Sequence, residues 1–174
     1  MSPVDPLPEQ VTGNDSQEQN RPGDPPAHPL GPPDQSVSQP LSHGLRNRCF
    51  GCGEDNPQGL HLVFAVEADG TVHAEAVIGS NYEGPPGHLH GGIIATLLDE
   101  TMSKANRARG EIAVTRQLQV EYLHPIPSTA PIRLRGHVER QDGRKLWTRA
   151  SILNAAGKEL ATGSGFFLSV MKAP

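Results

Sequence analysis

The sequence predicts an α+β fold: an antiparallel sheet with one long helix packed on one face. Three observations predict it. Strand-like runs occur twice before, and four times after, a single stretch of helical periodicity. Hairpin signals at Ala68-Asp69-Gly70, Asp142-Gly143 and Ala156-Gly157 separate most neighbouring runs, so the strands pair antiparallel. One helix leaves sheet edges and much of the opposite face uncovered, which predicts self-association.

The chain opens on a different composition. Residues 1–40 hold ten of the 17 prolines, six acids against one base and no aromatic residue. Such a segment cannot bury enough apolar surface to offset its ordering entropy. Residues 1–43 therefore read as a disordered, Pro-rich acidic tail and 44–174 as one folded domain. Cys49-Phe50-Gly51-Cys52-Gly53 follows, then Asn56-Pro57-Gln58-Gly59-Leu60. A lone Cys-x-x-Cys pair supplies half of a structural zinc site, and neither His43 nor His61 has the spacing to complete it. No metal is expected, and the two thiols read as small buried groups in a turn.

Leu60–Val66 and Thr71–Ile78 alternate as two strands of a hairpin. The loop from Gly79 to Gly87 leads into the helix. Projected at about 100° per residue, Ile93, Ile94, Leu97, Leu98, Thr101 and Met102 form one apolar face. Gly92, Ala95, Thr96, Asp99 and Ser103 gather on the far side, so Asp99 stands on a wall of small side chains, with Glu100 at the boundary. The glycines at the helix start expose unpaired N–H donors at the positive end of the macrodipole, a place for developing negative charge. Strand-like runs at Ile112–Leu123, Ile132–Arg140, Leu146–Asn154 and Glu159–Val170 complete the chain. In the first, alternation groups Ile112, Val114, Leu118, Val120 and Tyr122, with Arg116 interrupting. Thr115 falls on the other face, where β-propensity alone accounts for it. Gly163-Ser164-Gly165 lies within a strand and leads to no helix, which excludes a serine nucleophile elbow.

Charge and hydropathy exclude other classes. The net charge is −4, and outside the acidic tail the chain is nearly neutral, so no nucleic-acid partner is expected. No apolar run approaches the roughly 20 residues that span a bilayer. No secretory leader or transit peptide is expected, and two cysteines suit a reducing, cytoplasmic setting.

The run Gly84-Pro85-Pro86-Gly87-His88-Leu89-His90-Gly91-Gly92-Ile93-Ile94-Ala95-Thr96-Leu97-Leu98-Asp99 resembles the signature of hotdog-fold acyl-CoA thioesterases of the phenylacetate-pathway (PaaI-like) type. The nearest likeness is to the branch of thioesterase superfamily member 4. Cys-Phe-Gly-Cys-Gly with Asn-Pro-x-Gly-Leu is similar to the lead-in of bacterial members, and Val120 to Pro127 is similar to the strand after the helix. The resemblance covers roughly residues 45–170, one hotdog unit by length and element order. It implies a sheet wrapped around a central helix, a homodimer or homotetramer, and active sites between subunits. It implies that Asp99 is the catalytic carboxylate, as general base or nucleophile. By the same resemblance the Gly91 N–H polarises the thioester carbonyl, His90 positions it, and Thr115 is a hydroxyl from the partner subunit that holds the carboxylate or the water. Gly92, Glu121, Arg144 and Lys145 are the implied substrate contacts, the last two through coenzyme A phosphates. Glu121 stands where relatives carry Asn, and Gly84 stands where many carry a polar side chain; both are departures.

The implied activity is hydrolysis of an acyl-CoA thioester without a cofactor. A non-catalytic hotdog module that binds acyl-CoA as a sensor is the alternative, and a dehydratase lacks its characteristic His/Glu arrangement here.

Overall fold

The computed structural model describes residues 39–40 and 47–173. The element order is β1 (Gln39–Pro40), β2 (Ala65–Val66), β3 (Val72–Val77), a 3-10 turn (Ser80–Tyr82), α1 (Gly91–Ala108), β4 (Glu111–Tyr122), β5 (Pro131–Asp142), β6 (Lys145–Asn154) and β7 (Glu159–Lys172). The strands form one antiparallel sheet in the order β1-β2-β3-β5-β6-β7-β4. With α1 packed on one face, this is the α+β hotdog arrangement the sequence predicts. Gln39–Pro40 lies in the stretch read as a tail and pairs with β2; the rest of that stretch is outside the described residues.

The first expected strand is mostly not a strand. Its alternation holds as burial, with Leu62 and Phe64 inside and His61 and Val63 outside. Only Ala65–Val66 joins the ladder, however. The Leu60 and Leu62 N–H groups donate instead to the carbonyls of Phe50 and Gly51 at 2.8 and 2.9 Å, and His61 adopts φ 52°. The segment is claimed by the cysteine loop before it can pair with the sheet.

The helix runs longer than its apolar stripe. Ile94, Leu97, Leu98, Thr101 and Met102 are buried as the projection requires, Ile93 is only half-buried, and Ala105 joins the buried face; Ala95, Thr96, Asp99 and Ser103 are half-buried. Its C-terminus closes at Gly110, whose φ of 75° and N–H bond to the Arg107 carbonyl suit glycine. The apolar face lies on Leu134, Leu146, Ala150, Ile152 and Phe167. Close approach is allowed by Gly163 and Gly165 of β7. A Cβ on Gly165 would fall 2.4 Å from the Phe167 ring and 3.1 Å from the Met102 sulfur. The Gly-Ser-Gly run is therefore a packing device, with Ser164 turned outward and exposed. Leu98 is fully buried at this contact. Leu98→Ala is expected to cost about 3 kcal/mol, read as a lower urea midpoint with an unchanged slope.

The loop Asn47–Gly59 docks on the flank of α1. Cys49 Sγ lies 3.4 Å from Glu100 Oε2, and Lys104 Nζ lies 3.3 Å from Glu100 Oε1 and 2.9 Å from Cys52 Sγ. Lys104 is 1% exposed, and burial, with Arg107 nearby, pushes its ammonium down to about 7. Burial and the Glu100 carboxylate push the Cys52 thiol up. No helix among the described residues is long and apolar enough to cross a membrane.

Candidate active site

The start of α1 is anchored from three directions. The His90 N–H donates to the Tyr82 carbonyl and the Leu89 N–H to the Ile126 carbonyl, each at 2.9 Å. The Ser128 hydroxyl donates to Glu83, whose carboxyl it holds below its ordinary range together with the Gly87 backbone. His90 is the N-cap, in extended conformation at φ −64° and ψ 138°. Its Nδ1 accepts from the Gly92 N–H at 2.9 Å, and its carbonyl accepts from Ile93 and Ile94. A neutral His90 therefore carries its proton on Nε2. Of the four orphan donors of the first turn, this residue satisfies those of Gly92 and Ile93, and the Tyr82 carbonyl takes that of His90 itself. Among the described residues the Gly91 N–H has no partner. The motif thus presents one free donor, and the exposed Gly92 has already given its N–H to the cap.

Sequence reasoning missed Tyr122. Its hydroxyl donates to the Gly91 carbonyl at 3.1 Å, and its ring lies within 3.6–3.7 Å of where a Cβ on Gly91 would stand. The signal was present, since Tyr122 shares the alternation phase of Leu118 and Val120, which pack toward the helix.

Two turns along the helix, the Thr115 hydroxyl donates to Asp99 Oδ1 at 2.8 Å. This contact is made within one chain, which corrects the expectation that Thr115 arrives from a partner subunit. The cause is a bulge in β4. Thr115 pairs with Phe167 and Gln117 with Phe166, which leaves Arg116 as an extra residue. Ala113 and Thr115 face the helix before the bulge, and Leu118, Val120 and Tyr122 face it afterwards. Val114, expected on the inner face, is 47% exposed on the outer one. The arginine that interrupted the apolar alternation was the sequence trace of that bulge.

The two halves of the constellation stay apart in a single chain. Gly91 and Asp99 are eight residues apart in one helix, about 12 Å along its axis. The N–H groups at a helix start point away from its body. A carbonyl held on Gly91 therefore lies on the side remote from the Asp99 carboxyl of the same chain.

The expected substrate contacts also lie elsewhere. Arg144 and Lys145 sit at the β5–β6 turn, where Gly143 has φ 55°. Arg144 Nε donates to the Ser169 carbonyl at 2.8 Å, beside an open cleft lined by Glu111, Ser169 and Lys172. Lys145 precedes the buried, helix-facing Leu146, so it belongs to the opposite face of the sheet from Asp99. Glu121, between the inward Val120 and Tyr122, is exposed on that same outer face.

A family profile described as the thioesterase superfamily matches residues 86–161, which contain the capped glycines, Asp99 and Thr115. Acyl-coenzyme A thioesterase THEM4 of Mus musculus is 33% identical over 84 residues, 48% of this chain and 36% of that protein. Acyl-coenzyme A thioesterase 13 of Pongo abelii is 31% identical over 105 residues, 59% of this chain and 75% of that one. The chain spans about a third of the length of the first relatives it matches. A solved thioesterase superfamily protein is 35% identical with a TM-score of 0.64, covering 66% of this chain and 57% of that one. The fold is also shared with a Streptococcus mutans protein solved with acetyl CoA bound, 21% identical with a TM-score of 0.58 over 60% of this chain and 85% of that one. A helix start capped by its own histidine, a bulged strand meeting the helix carboxylate, and a relative matched over three quarters of its length lead to one conclusion: this chain belongs to the thioesterase superfamily.

Proposed function

We propose that the chain hydrolyses acyl-CoA thioesters at sites assembled from two copies. Asp99 and Thr115 come from one copy, and the Gly91 N–H, set by His90, comes from the other. The observation that carries this reading is the Thr115–Asp99 hydrogen bond at 2.8 Å, which fixes a half-buried carboxylate on a wall of small residues. A thioester carbonyl is electrophilic and its thiolate leaves readily. The enzyme must therefore stabilise a transient oxyanion and deliver water or a carboxylate to the carbon. Asp99 performs the delivery, as base or nucleophile, and the Gly91 N–H the stabilisation. Because the donor and the carboxylate of one helix face apart, convergence on one carbon requires a second helix. The names of the curated relatives and the acetyl CoA held by the Streptococcus mutans protein support acyl-CoA as the substrate class.

Self-association is supported by the uncovered face of the sheet. Trp147 stacks there on Phe166 at 5.3 Å between ring centroids, and Val114 and Val170 are about half exposed. This face lies away from α1, so covering it is a contact separate from the homodimer contact that joins two copies of α1. In a homotetramer using both, outer-face Arg144, Lys145 and Glu121 of one copy would lie toward the nucleotide end of a substrate held by another. Two free thiols suit a reducing compartment such as the cytoplasm.

The test is release of free thiol from a panel of acyl-CoAs, with the mass in solution measured alongside. Saturable acyl-CoA binding without turnover on any member would replace hydrolysis by the sensor reading. Thr115→Val removes the hydroxyl while keeping the shape. It is expected to lower kcat about tenfold to hundredfold, the worth of a hydrogen bond to a charged group, with KM little changed. An unchanged kcat would remove Thr115 from the machinery.

A further inference from the structure

We propose that Cys49, Cys52 and Glu100 bind one zinc ion, which staples the cysteine loop to α1. The sequence offers only a Cys-x-x-Cys pair; the fold brings it a third donor from the helix. One atom from each of the three side chains lies within 4.8 Å of the other two. Zinc bonds of about 2.3 Å to sulfur and 2.0 Å to oxygen, at tetrahedral angles, give an S···O edge of about 3.5 Å. Cys49 Sγ and Glu100 Oε2 are 3.4 Å apart. That edge already has the length zinc needs, and the edges to Cys52 Sγ are no longer than 4.8 Å.

The surroundings suit an ion. The Gly53 N–H donates to the Cys49 carbonyl at 2.9 Å, closing the turn that carries both sulfurs, which lie within 4.8 Å of each other. Asn47 braces the loop, its Nδ2 lying 3.5 Å from Cys52 Sγ and its Oδ1 accepting from the Cys49 N–H. Gly51 makes room for the carboxylate, since a Cβ there would fall 2.6 Å from Glu100 Oε2. Two thiolates, a carboxylate and a dication sum to one negative charge. The fully buried Lys104 ammonium, 3.3 Å from Glu100 and 2.9 Å from Cys52, balances it. Thiolate donors select zinc over magnesium or calcium. Three protein ligands leave the fourth position to water, on the half-buried side of the loop. The function of such an ion is mechanical: it ties residues 49–52 to the residue beside Asp99. It is independent of whether the chain hydrolyses thioesters.

The test uses the untagged full-length protein, produced with zinc and dialysed into metal-free buffer containing a non-thiol reductant. One zinc per chain is expected. Replacement by cobalt should give a thiolate-to-cobalt charge-transfer absorption, and zinc should be absent from Cys49→Ser and Cys52→Ser. Glu100→Gln should keep the thiolate band and weaken zinc binding by about tenfold or more. Should the cysteine variants fail to fold, the wild type suffices. A chelator should expose two thiols to alkylation and lower Tm, and added zinc should reverse both. Zinc well below one per chain after reconstitution overturns the proposal. So does cobalt bound without a thiolate band, or zinc content unchanged when both cysteines are serine.

Discussion

Asp99→Asn is expected to lower kcat on acyl-CoA by about 10²–10⁴-fold, the usual contribution of a positioned base, or more if the carboxylate attacks directly. The substitution keeps shape and neighbours. An amide oxygen still accepts from the Thr115 hydroxyl at the 2.8 Å seen for Asp99 Oδ1, and the small residues around it are undisturbed. Tm should therefore hardly move, so lost activity reports chemistry and not unfolding. Asp99→Ala should fall at least as far. Full activity in both variants, measured by thiol release, would end the assignment of Asp99 and with it the proposed mechanism. A single turnover in heavy-oxygen water that places label in the Asp99 carboxylate and leaves the released acid unlabelled would show the nucleophilic route, with water attacking the aspartyl carbon of the anhydride.

The second large effect is expected from Gly91→Pro, which deletes the one unpartnered donor of the helix start. Proline is well accepted at the first helical position, because its missing N–H and fixed φ suit that place. The residue before it must be extended, and His90 already is, at φ −64° and ψ 138°. A Cβ at position 91 meets the Tyr122 ring at 3.6 Å, an ordinary contact. No existing hydrogen bond of the Gly91 N–H is lost. The fold should survive while kcat drops by about 10²–10³-fold, the cost of one oxyanion donor. Gly91→Ala keeps the N–H and is the control, expected to stay within several-fold of the parent. A loss confined to KM would mean that the proline ring merely obstructs substrate, and an unchanged kcat would show that the donor lies elsewhere.

Much of this site was legible one residue at a time. The helix is a local object with a period of 3.6, so Leu97, Leu98 and Met102 could be placed inside and Asp99 on the low wall from spacing alone. The glycine start is local as well, whereas His90 as its cap is seen only in the structure. Strand β4 was not legible in the same way. Its alternation counts two residues per repeat; the extra residue at Arg116 leaves Leu118, Val120 and Tyr122 inward as counted but turns Val114 outward and Thr115 inward. Whether that residue bulges depends on β7, about fifty positions later. The Leu60–Phe64 run failed for a similar reason: its period was right, but its backbone hydrogen bonds went to the cysteine loop rather than to a strand.

The sequence by itself determined the helix, its buried face, the glycine start and the carboxylate two turns on, because each follows from spacing along one axis. The tertiary structure decided which hydroxyl meets that carboxylate and which carboxylate meets the cysteines. Those partners sit on different elements, joined only when strand pairing and helix packing are complete.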